Sequence, residues 1–296
     1  MLSKKYTVSD WSRIWLETYK KGCIAEKTFY NYNNILKNHI IPNIGDMKLN
    51  KVRQVDIMKI FQRLSNYSLR YIKDVHKVVN QLFSSALNNQ LIDINPVIGI
   101  RLPKGKVSKP YRILSDIERK EILKLAKTHR FGIWVKLLLL CGLRPSETGR
   151  LRKCHIDVEN RLIYVDGTKS VYSKREVPIT DSEFLNELVE YTKNMKENDL
   201  LFTTQNGKEM TDGARRFYWV DFKKYLPDNC GADLSPYCLR HTFCTDMQHA
   251  GVPITIAAKL MGHRDSRITA QIYMHYTNES LQMAAEKLKE YREKVI

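Results

Sequence analysis

The sequence is short of the features that assign a chain to a membrane, to secretion or to a common nucleotide-binding fold. Its longest apolar run, at 135–141, contains Lys136 and is much shorter than the roughly 20 apolar residues that a membrane-spanning helix needs. The amino terminus, MLSKKYTVSD, lacks the apolar region of a secretory signal. Glycine-rich phosphate loops of the Walker or Rossmann type are absent as well. We therefore expect an intracellular, cytoplasmic protein with no membrane partner.

The six cysteines form no pattern typical of a metal site or of a disulfide framework. No two of them are spaced as C-x-x-C, and the histidines do not have the spacing of a zinc finger. Without a secretory signal, disulfide bonds are not expected either. We predict that the cysteines are small, semi-buried apolar residues, and that the protein uses neither a metal nor a cofactor.

The chain carries a large excess of positive charge. Lys and Arg number 49 against 32 Asp and Glu, which gives a formal net charge of +17. Cationic side chains favour binding to a polyanion because each neutralised phosphate releases condensed counterions. A nucleic-acid partner is the first interpretation, and a ribosome-associated or merely basic protein is the alternative.

The length of 296 residues favours two domains. Residues 1–100 show apolar residues at helical spacing, which predicts a module of four helices. Their exposed faces are rich in residues that contact phosphates and bases, although a solvated helical surface would look much the same. Residues 101–111 form a basic, proline-containing linker, and residues 112–296 form the second domain. The four predicted helices lie at about 8–20, 29–39 (ended by Ile41, Pro42 and Gly45), 55–64 and 69–87.

The sequence of the second domain predicts helices around one short β section. The predicted fold class is therefore mainly α with a small antiparallel sheet. Strands are predicted at 162–165 and 176–179, separated by a connection that contains Lys169. The predicted helices begin at the capping box 115–118, at 131, 181, 211 and 236, and at 279 in a charged tail.

A tight turn follows the apolar helix that ends near residue 140. Gly142 ends this helix and Pro145, as a first-turn residue, starts the next one. Arg144 lies between them, and we expect its guanidinium to be free to point into a cleft.

Five motifs in this order carry a family resemblance: CGLRPSE at 141–147, a lysine in a β connection, LRHTFCT at 239–245, LMGHRD at 260–265 and QIYMHY at 271–276. Together they resemble the catalytic domain of the tyrosine recombinases, the phage integrase family that includes the Xer recombinases. The helical module resembles the core-binding domain of that family. The resemblance implies an Xer-like two-domain layout, in which we expect no additional arm-site-binding domain.

The resemblance implies a set of catalytic residues. Arg144 and Arg240 correspond to the two arginines that stabilise an anionic phosphate, a task suited to a planar, always charged guanidinium. Lys169 corresponds to the general acid that protonates the leaving 5′ oxygen. Lys174 and Arg175 are nearby alternatives for that role.

Two further positions complete the implied reaction. His263 corresponds to the residue that hydrogen-bonds the scissile phosphate. Tyr273 corresponds to the nucleophile, which attacks to give a 3′-phosphotyrosine and a free 5′-hydroxyl, and Tyr276 is the nearby alternative. The covalent intermediate conserves the bond energy, so neither ATP nor a metal is needed.

One position departs from the family pattern. Tyr237 stands where H-x-x-R has its histidine, and His241 should face elsewhere on the helix. Tyrosine has a pKa near 10 and is a poor base at neutral pH. General acid–base assistance contributes about 10²–10⁴-fold, so we expect reduced or even lost activity.

The leading hypothesis is a site-specific recombinase that integrates, excises or resolves a mobile element or phage. The resemblance implies a dimer to tetramer on double-stranded DNA with inverted half-sites, in the nucleoid of a bacterial or phage-infected cell. It also implies exchange of the C-terminal helix between protomers, with packing on its own domain as the alternative. Competing hypotheses are a DNA-binding regulator, such as a phage repressor, and a type IB topoisomerase.

Overall fold

The computed structural model describes residues 6–107, 111–167, 174–273 and 278–295. The chain divides into two compact units, Met1–Pro110 and Tyr111–Ile296. The predicted linker starts as part of the first unit, because Leu102 packs against its core and the Lys106 amide donates to the Tyr67 carbonyl at 2.8 Å. In the described parts of the chain, no helix combines the length and the apolar character that crossing a membrane requires.

The first unit is helical, as its periodicity predicts. Wide π-helical turns at Leu16–Lys20 and Leu36–Ile40 extend the first two helices. The helices are α1 Val8–Trp15, α2 Glu26–Ile35, α3 Ile41–Ile44, α4 Gln54–Arg63 and α5 Leu69–Asn88.

Of the residues predicted to end the second helix, Gly45 ends it and Ile41 and Pro42 do not. The helical path continues from α2 through Leu36–Ile40 into α3, and ends at Gly45. A proline inside a helix lacks an N–H and crowds the carbonyl four residues earlier. The wide turn directly before Pro42 accommodates both effects, since the Ile41 amide bonds to Leu36 five residues back.

The core of the first unit is built on tryptophan and aliphatic side chains. Trp15 is 1% exposed and stacks on Tyr32 with 5.9 Å between ring centroids. Trp11 donates its indole N–H to the Leu82 carbonyl at 3.1 Å, so its one polar atom is satisfied inside the core. The helices of the first unit therefore close around an apolar centre.

The second unit combines helices with one antiparallel sheet of strand order β1-β2-β3. The predicted fold class is confirmed, and the predicted strands and helices lie within a few residues of their expected bounds. The strands are β1 Ile156–Asp157, β2 Leu162–Val165 and β3 Arg175–Pro178. The helices are α6 Asp116–Ala126, α7 Gly132–Leu140, α8 Ser182–Thr192, α9 Asp212–Lys223, α10 Pro236–His249, α11 Ile254–Met261, α12 Ser266–Tyr273 and α13 Asn278–Val295.

The register of the sheet decides which side chains turn inward. Val165 pairs with Arg175, and Ile163 pairs with Val177. Because alternate residues of a strand face the same side, Arg175 shares the buried face with Val177. An arginine therefore enters the interior at the start of β3.

The turn after α7 differs from its prediction in one respect. Gly142 ends the helical region with a left-handed backbone (φ +61°), and a Cβ there would overlap the Phe243 ring. Pro145 does not begin an α-helix, however; residues 145–147 form a turn that leads into the 3₁₀ helix Thr148–Arg150. The Thr148 hydroxyl donates to the Pro145 carbonyl at 2.9 Å, which closes this turn locally.

Candidate active site

Both terminal nitrogens of Arg144 are hydrogen-bonded. Its Nη1 donates to Glu147 Oε1 at 2.6 Å, and its Nη2 donates to the Gly262 carbonyl at 2.7 Å. The side chain is 24% exposed, so one part of it reaches the surface. The prediction that this guanidinium is free was wrong, because the turn directs it onto Glu147 three residues later.

Glu147 is the centre of a buried cluster of guanidinium groups. Its side chain is 7% exposed. Arg175 donates to it with both terminal nitrogens, Nη1 to Oε1 and Nη2 to Oε2, each at 2.9 Å. The backbone amide of Arg144 donates to Oε2 at 2.7 Å. Burial alone would raise the pKa of this carboxyl, but Arg175, Arg240 and Arg144 lower it to about 2. Glu147 is therefore ionised at neutral pH.

Arg240 projects from α10 into the same cluster and is almost completely buried. Its two terminal nitrogens donate to the carbonyls of Gly142 and Met261, and Nη1 lies 4.0 Å from Glu147 Oε2. Burial, followed by repulsion from Arg144, lowers its pKa to about 9. The side chain stays charged at neutral pH and fixes the end of α7 against the end of α11.

His263 lies beside Arg240, as its position in the sequence predicts. Its Nε2 is 3.4 Å from Arg240 Nη2, and its Nδ1 is 2.8 Å from the Thr269 hydroxyl. The pKa of His263 is lowered to about 3, mainly by burial and secondly by repulsion from Arg240 and Arg144. The imidazole is therefore neutral at physiological pH, and Thr269 holds its orientation.

Gly262 allows the backbone to pass close to the arginines. It has a left-handed conformation (φ +62°). A Cβ at this position would lie 2.9 Å from Arg175 Nη1 and 3.1 Å from Arg144 Nη1. Glycine thus serves twice here, ending α11 and letting its carbonyl accept a hydrogen bond from Arg144.

The two remaining predicted catalytic groups are described in part or not at all. Tyr273 is the last residue of α12, and the structure describes its backbone but not its side chain. The neighbouring Ile272 is buried and anchors this end of α12 in a small core with Met261. Lys169 lies outside the described residues, as does Tyr276.

The alternatives to Lys169 occupy different environments. Lys174 is largely exposed, with its amine 3.2 Å from Asp166 Oδ1. Arg175 is buried on Glu147, and an arginine does not release its proton in a protein. Arg175 is therefore unsuited to the role of a general acid.

Tyr237 and His241 form an aromatic group on the outer part of α10. Tyr237 is 50% exposed, and its ring centroid is 6.2 Å from that of His241. His241 packs on Tyr111 with 4.7 Å between centroids, and burial lowers its pKa to about 4. Within the described parts of the chain, the Nδ1 atom of His241 has no hydrogen-bond partner.

The cluster as a whole has an excess of positive charge. Arg144, Arg175 and Arg240 contribute three cations against the one carboxylate of Glu147, while His263 is neutral. Such a pocket favours an anion with several oxygen atoms, because guanidinium groups only donate hydrogen bonds. Among the described residues, no group of His, Cys, Asp and Glu is arranged to hold a metal ion.

The sequence did not indicate the observed contacts of three residues of this cluster. Glu147 lies within the motif CGLRPSE, and its spacing of three from Arg144 is a signal that could have found it. For Arg175 the sequence indicated only an alternative to Lys169. For Thr269 no local pattern indicated a contact with His263.

Two family profiles match the chain. The Phage integrase family matches residues 112–280, and its N-terminal SAM-like domain matches residues 7–65. The first match covers more than half of the chain. The chain belongs to the phage integrase family.

The relatives of this integrase-family chain include a tyrosine recombinase, an integrase and a transposase. The tyrosine recombinase XerA of Pyrococcus horikoshii is 31% identical over 239 residues, which cover 79% of this chain and 80% of that protein. An integrase of Streptomyces ambofaciens is 22% identical over 311 residues, covering 95% and 79%. The transposase from transposon Tn916 of Enterococcus faecalis is 23% identical over 278 residues, covering 83% and 68%. The prediction of a tyrosine-type site-specific recombinase is confirmed, and a regulator without this activity is not favoured.

Solved structures share the fold of this recombinase. The integrase of transposon Tn1549, in complex with transposon right end DNA, has a TM-score of 0.77 at 22% identity and covers 96% of this chain and 100% of that chain. A lambda integrase dimer bound to a core site has a TM-score of 0.71 at 16% identity, covering 90% and 95%. At these identities, the likeness shows the fold.

Proposed function

We propose that this recombinase cleaves and rejoins double-stranded DNA with Tyr273 as the nucleophile and the Arg144–Arg240 pocket as the phosphate site. The observation that carries the proposal is the convergence of Arg144, Arg240 and neutral His263 around one cationic cluster. Attack on a phosphodiester creates a pentacoordinate group with extra negative charge. Preorganised guanidinium groups stabilise that charge without rearranging during the reaction.

The two arginines have complementary roles. Arg240 is fixed by two backbone carbonyls and presents a buried charge. Arg144 is partly exposed and bonded to Glu147 and Gly262 through one N–H of each terminal nitrogen, so its remaining N–H groups are available to a phosphate. Together they bind the two non-bridging oxygens of the scissile phosphate.

His263 acts as a neutral hydrogen-bonding group. A guanidinium only donates, so in this arrangement Nε2 accepts from Arg240 and we infer that Nδ1 carries the proton that Thr269 accepts. The Thr269 hydroxyl can also donate. A phosphate oxygen that takes the place of Nε2 as the acceptor of this Arg240 N–H permits the opposite tautomer, in which Nε2–H donates to the phosphate.

Lys169 and Tyr237 complete the proposed set. Lys169 protonates the departing 5′ oxygen. Tyr237 precedes Arg240 by one turn of α10, where the family has a histidine. The residue is half-exposed, and its hydroxyl donates a hydrogen bond in place of the acid–base assistance of a histidine. We expect cleavage to be slower than with histidine, and Tyr237→His to raise the rate by about tenfold or more.

The DNA partner and the assembly follow from charge and from the relatives. The net charge of +17 favours a polyanion, and both structural relatives described above were determined with DNA, one of them as a dimer. We propose binding to inverted half-sites as a dimer to tetramer in the bacterial nucleoid. Leu288 and Tyr291 of α13 are 51% and 64% exposed, which supports docking of this helix on a neighbouring protomer.

A covalent-adduct assay tests the proposal. The Tyr273→Phe chain selects its target from a random duplex library, and the selected sequence is then built with a nick beside each cleavage position, so that cleavage cannot be reversed. The wild-type chain is expected to form an adduct that resists denaturing gel electrophoresis, with the DNA linked through its 3′ phosphate. Tyr276→Phe is the matched control and should retain the adduct.

Three outcomes separate the hypotheses. An adduct that persists in Tyr273→Phe shows that another tyrosine is the nucleophile. Selective binding without any adduct, in wild type and in Tyr237→His, overturns the proposed reaction. An adduct that appears only in Tyr237→His shows that the missing histidine limits the chemistry.

A further inference from the structure

We propose that Arg175 is a positioning residue of this recombinase, which holds Arg144 and the Gly262–His263 turn in place through Glu147 and Leu260. The proposal rests on the proposed function, since its main test measures the rate of DNA cleavage. Arg175 does not face the phosphate itself. Its side chain is 1% exposed and lies behind the carboxylate that Arg144 contacts.

The contacts of Arg175 reach two separate elements. Its two terminal nitrogens meet both oxygens of Glu147 at 2.9 Å. Its Nε donates to the Leu260 carbonyl at 2.6 Å. Leu260 is in the last turn of α11, where carbonyls lack helical partners and favour a cation. One guanidinium thus joins β3 to Glu147 and to the end of α11.

The charge of Arg175 decides what remains for the phosphate. The charges of Glu147 and Arg175 cancel, so the cluster as a whole keeps a net charge equal to that of Arg144 and Arg240 together. Without Arg175, the carboxylate would be shared by Arg144 and Arg240 alone and would neutralise part of the phosphate site. The first effect of Arg175 is therefore electrostatic.

The second effect is geometric. Glu147 Oε2 accepts the backbone amide of Arg144, and Oε1 accepts its side chain. The bidentate contact of Arg175 prevents this carboxylate from rotating. The bond to Leu260 in turn holds the residues that lead through Gly262 to His263. Arg144 and His263, two of the three proposed partners of the phosphate, are thus oriented by one residue that does not touch it.

A lysine does not reproduce this arrangement. The guanidinium presents a planar fork toward the carboxylate and a third N–H toward a carbonyl on its other side. A lysine has the same charge but only one nitrogen, so it keeps the electrostatic effect and loses the fixed geometry. Arg175→Lys therefore separates the two effects.

The experiment compares the full-length wild-type chain with Arg175→Lys on the nicked duplex described above. The single-turnover cleavage rate at saturating DNA is expected to fall about 10–100-fold, because small displacements of catalytic groups cost rates of this size. The dissociation constant for the intact duplex should change less than about threefold, since the charge is kept.

Arg119→Lys is the matched control. Arg119 makes a bidentate pair with Asp246, at 2.9 and 2.5 Å, between α6 and α10. The substitution is the same, the ion pair has the same form, and neither residue belongs to the cluster around Glu147. Its cleavage rate should stay within about twofold of wild type, in line with the small contribution of partly exposed pairs.

A neutral double variant keeps the test valid if Arg175→Lys does not fold. Arg175→Gln with Glu147→Gln removes a cation and an anion together, so it leaves no unpaired buried charge and preserves the net charge of the pocket. Its thermal melting should be cooperative. It should still cleave at least about tenfold more slowly than wild type. Cleavage at the wild-type rate by either folded variant overturns the positioning role.

Inorganic phosphate separates failure of this inference from failure of the proposed function. The wild-type chain should bind it, measured by isothermal titration, and Arg175→Lys should bind at least about tenfold more weakly. A wild-type chain that binds phosphate but forms no DNA adduct refutes the proposed reaction and leaves the positioning role supported by the weaker binding of the variant. Equal phosphate binding by wild type and variant refutes the positioning role.

Discussion

In the first unit, the helices close around Trp15 and Phe83, whereas in the second unit a comparable depth holds Arg175 and Arg240. Among the described residues of the first unit, the buried polar side chains are Ser12 and Asn95, and neither is charged. The second unit instead places three guanidinium groups around Glu147. The second unit also has an apolar core, which includes Trp134 and Phe222, and the arginine cluster is an addition to it that suits the binding of an anion.

The difference lies in what each interior gains from burial. An apolar core gains from every area of surface that it removes from water. A buried ion pair loses hydration, and often contributes little net stability even when its geometry is good. The cluster around Glu147 is therefore better explained by the preorganised charge that it offers to a phosphate. Substitutions in the two regions should separate stability from activity.

The largest effect is expected from Trp15→Ala. Removing this buried ring should lower the free energy of unfolding by about 3–5 kcal/mol, because it deletes apolar contacts and leaves a cavity. Urea unfolding of the full chain, followed by hydrogen exchange of the first unit, measures it. Tyr30→Ala is the control: Tyr30 is exposed on α2, so its loss should cost less than about 0.5 kcal/mol. Equal costs for both would contradict an apolar core at Trp15.

Arg240→Lys should affect activity far more than stability. The cleavage rate is expected to fall about 10²–10³-fold, since one fixed donor to the transition state is lost. Urea unfolding should change little in comparison with Trp15→Ala, because the buried charge is retained. A variant that unfolds readily but, when folded, cleaves at the wild-type rate would make Arg240 a structural residue only.

Acidification should weaken the second unit before the first. The folded pKa values of His241 and His263, about 4 and 3, lie below the ordinary value of 6.5, so the unfolded chain binds more protons below pH 6.5. Their contribution to the free energy of unfolding is complete above pH 6.5 and is lost as the pH falls toward 4 and 3. Glu147, whose pKa drops from 4.5 to about 2, adds a further loss below pH 4.5.

Hydrogen exchange of the full chain between pH 7 and 4 tests this order, after correction for the pH dependence of intrinsic exchange. Burial also lowers the pKa of His39 and His76 in the first unit, so its protection should fall too, but less. His241→Phe removes one of the titrating groups and should move the loss of protection in the second unit to lower pH. If both units lose exchange protection at the same pH, in wild type and in the variant, the pH dependence does not come from these histidines of the second unit.

The smallest effect is expected from Thr269→Val. The change keeps the shape of the side chain and removes the hydroxyl that contacts His263 Nδ1. A lost hydrogen bond of this kind corresponds to about tenfold or less in cleavage rate, with DNA affinity unchanged. Thr242→Val, which removes a buried hydroxyl on α10 that bonds the Leu114 amide, is the control for stability without a role in the reaction. A larger rate loss in the control than in Thr269→Val would count against an orienting role.

The amino-acid sequence by itself determined the helical periodicity, the apolar character of α7, the two longer strands and the five ordered motifs of the family. These are local signals: spacing of apolar residues, capping residues, and residues that directly adjoin one another. They were sufficient for the fold class, and the family resemblance that the motifs carry implied that Arg144, Arg240 and His263 share one site.

Tertiary structure alone decided which residues distant in sequence contact this site. Arg175 meets Glu147 across 28 residues of sequence and Leu260 across 85, and Arg144 meets Gly262 across 118. Which charge faces which depends on strand register and on how helix ends meet, and no local pattern encodes either. The two differences at prolines are local instead: a wide turn precedes Pro42, and the Thr148 hydroxyl closes the turn at Pro145.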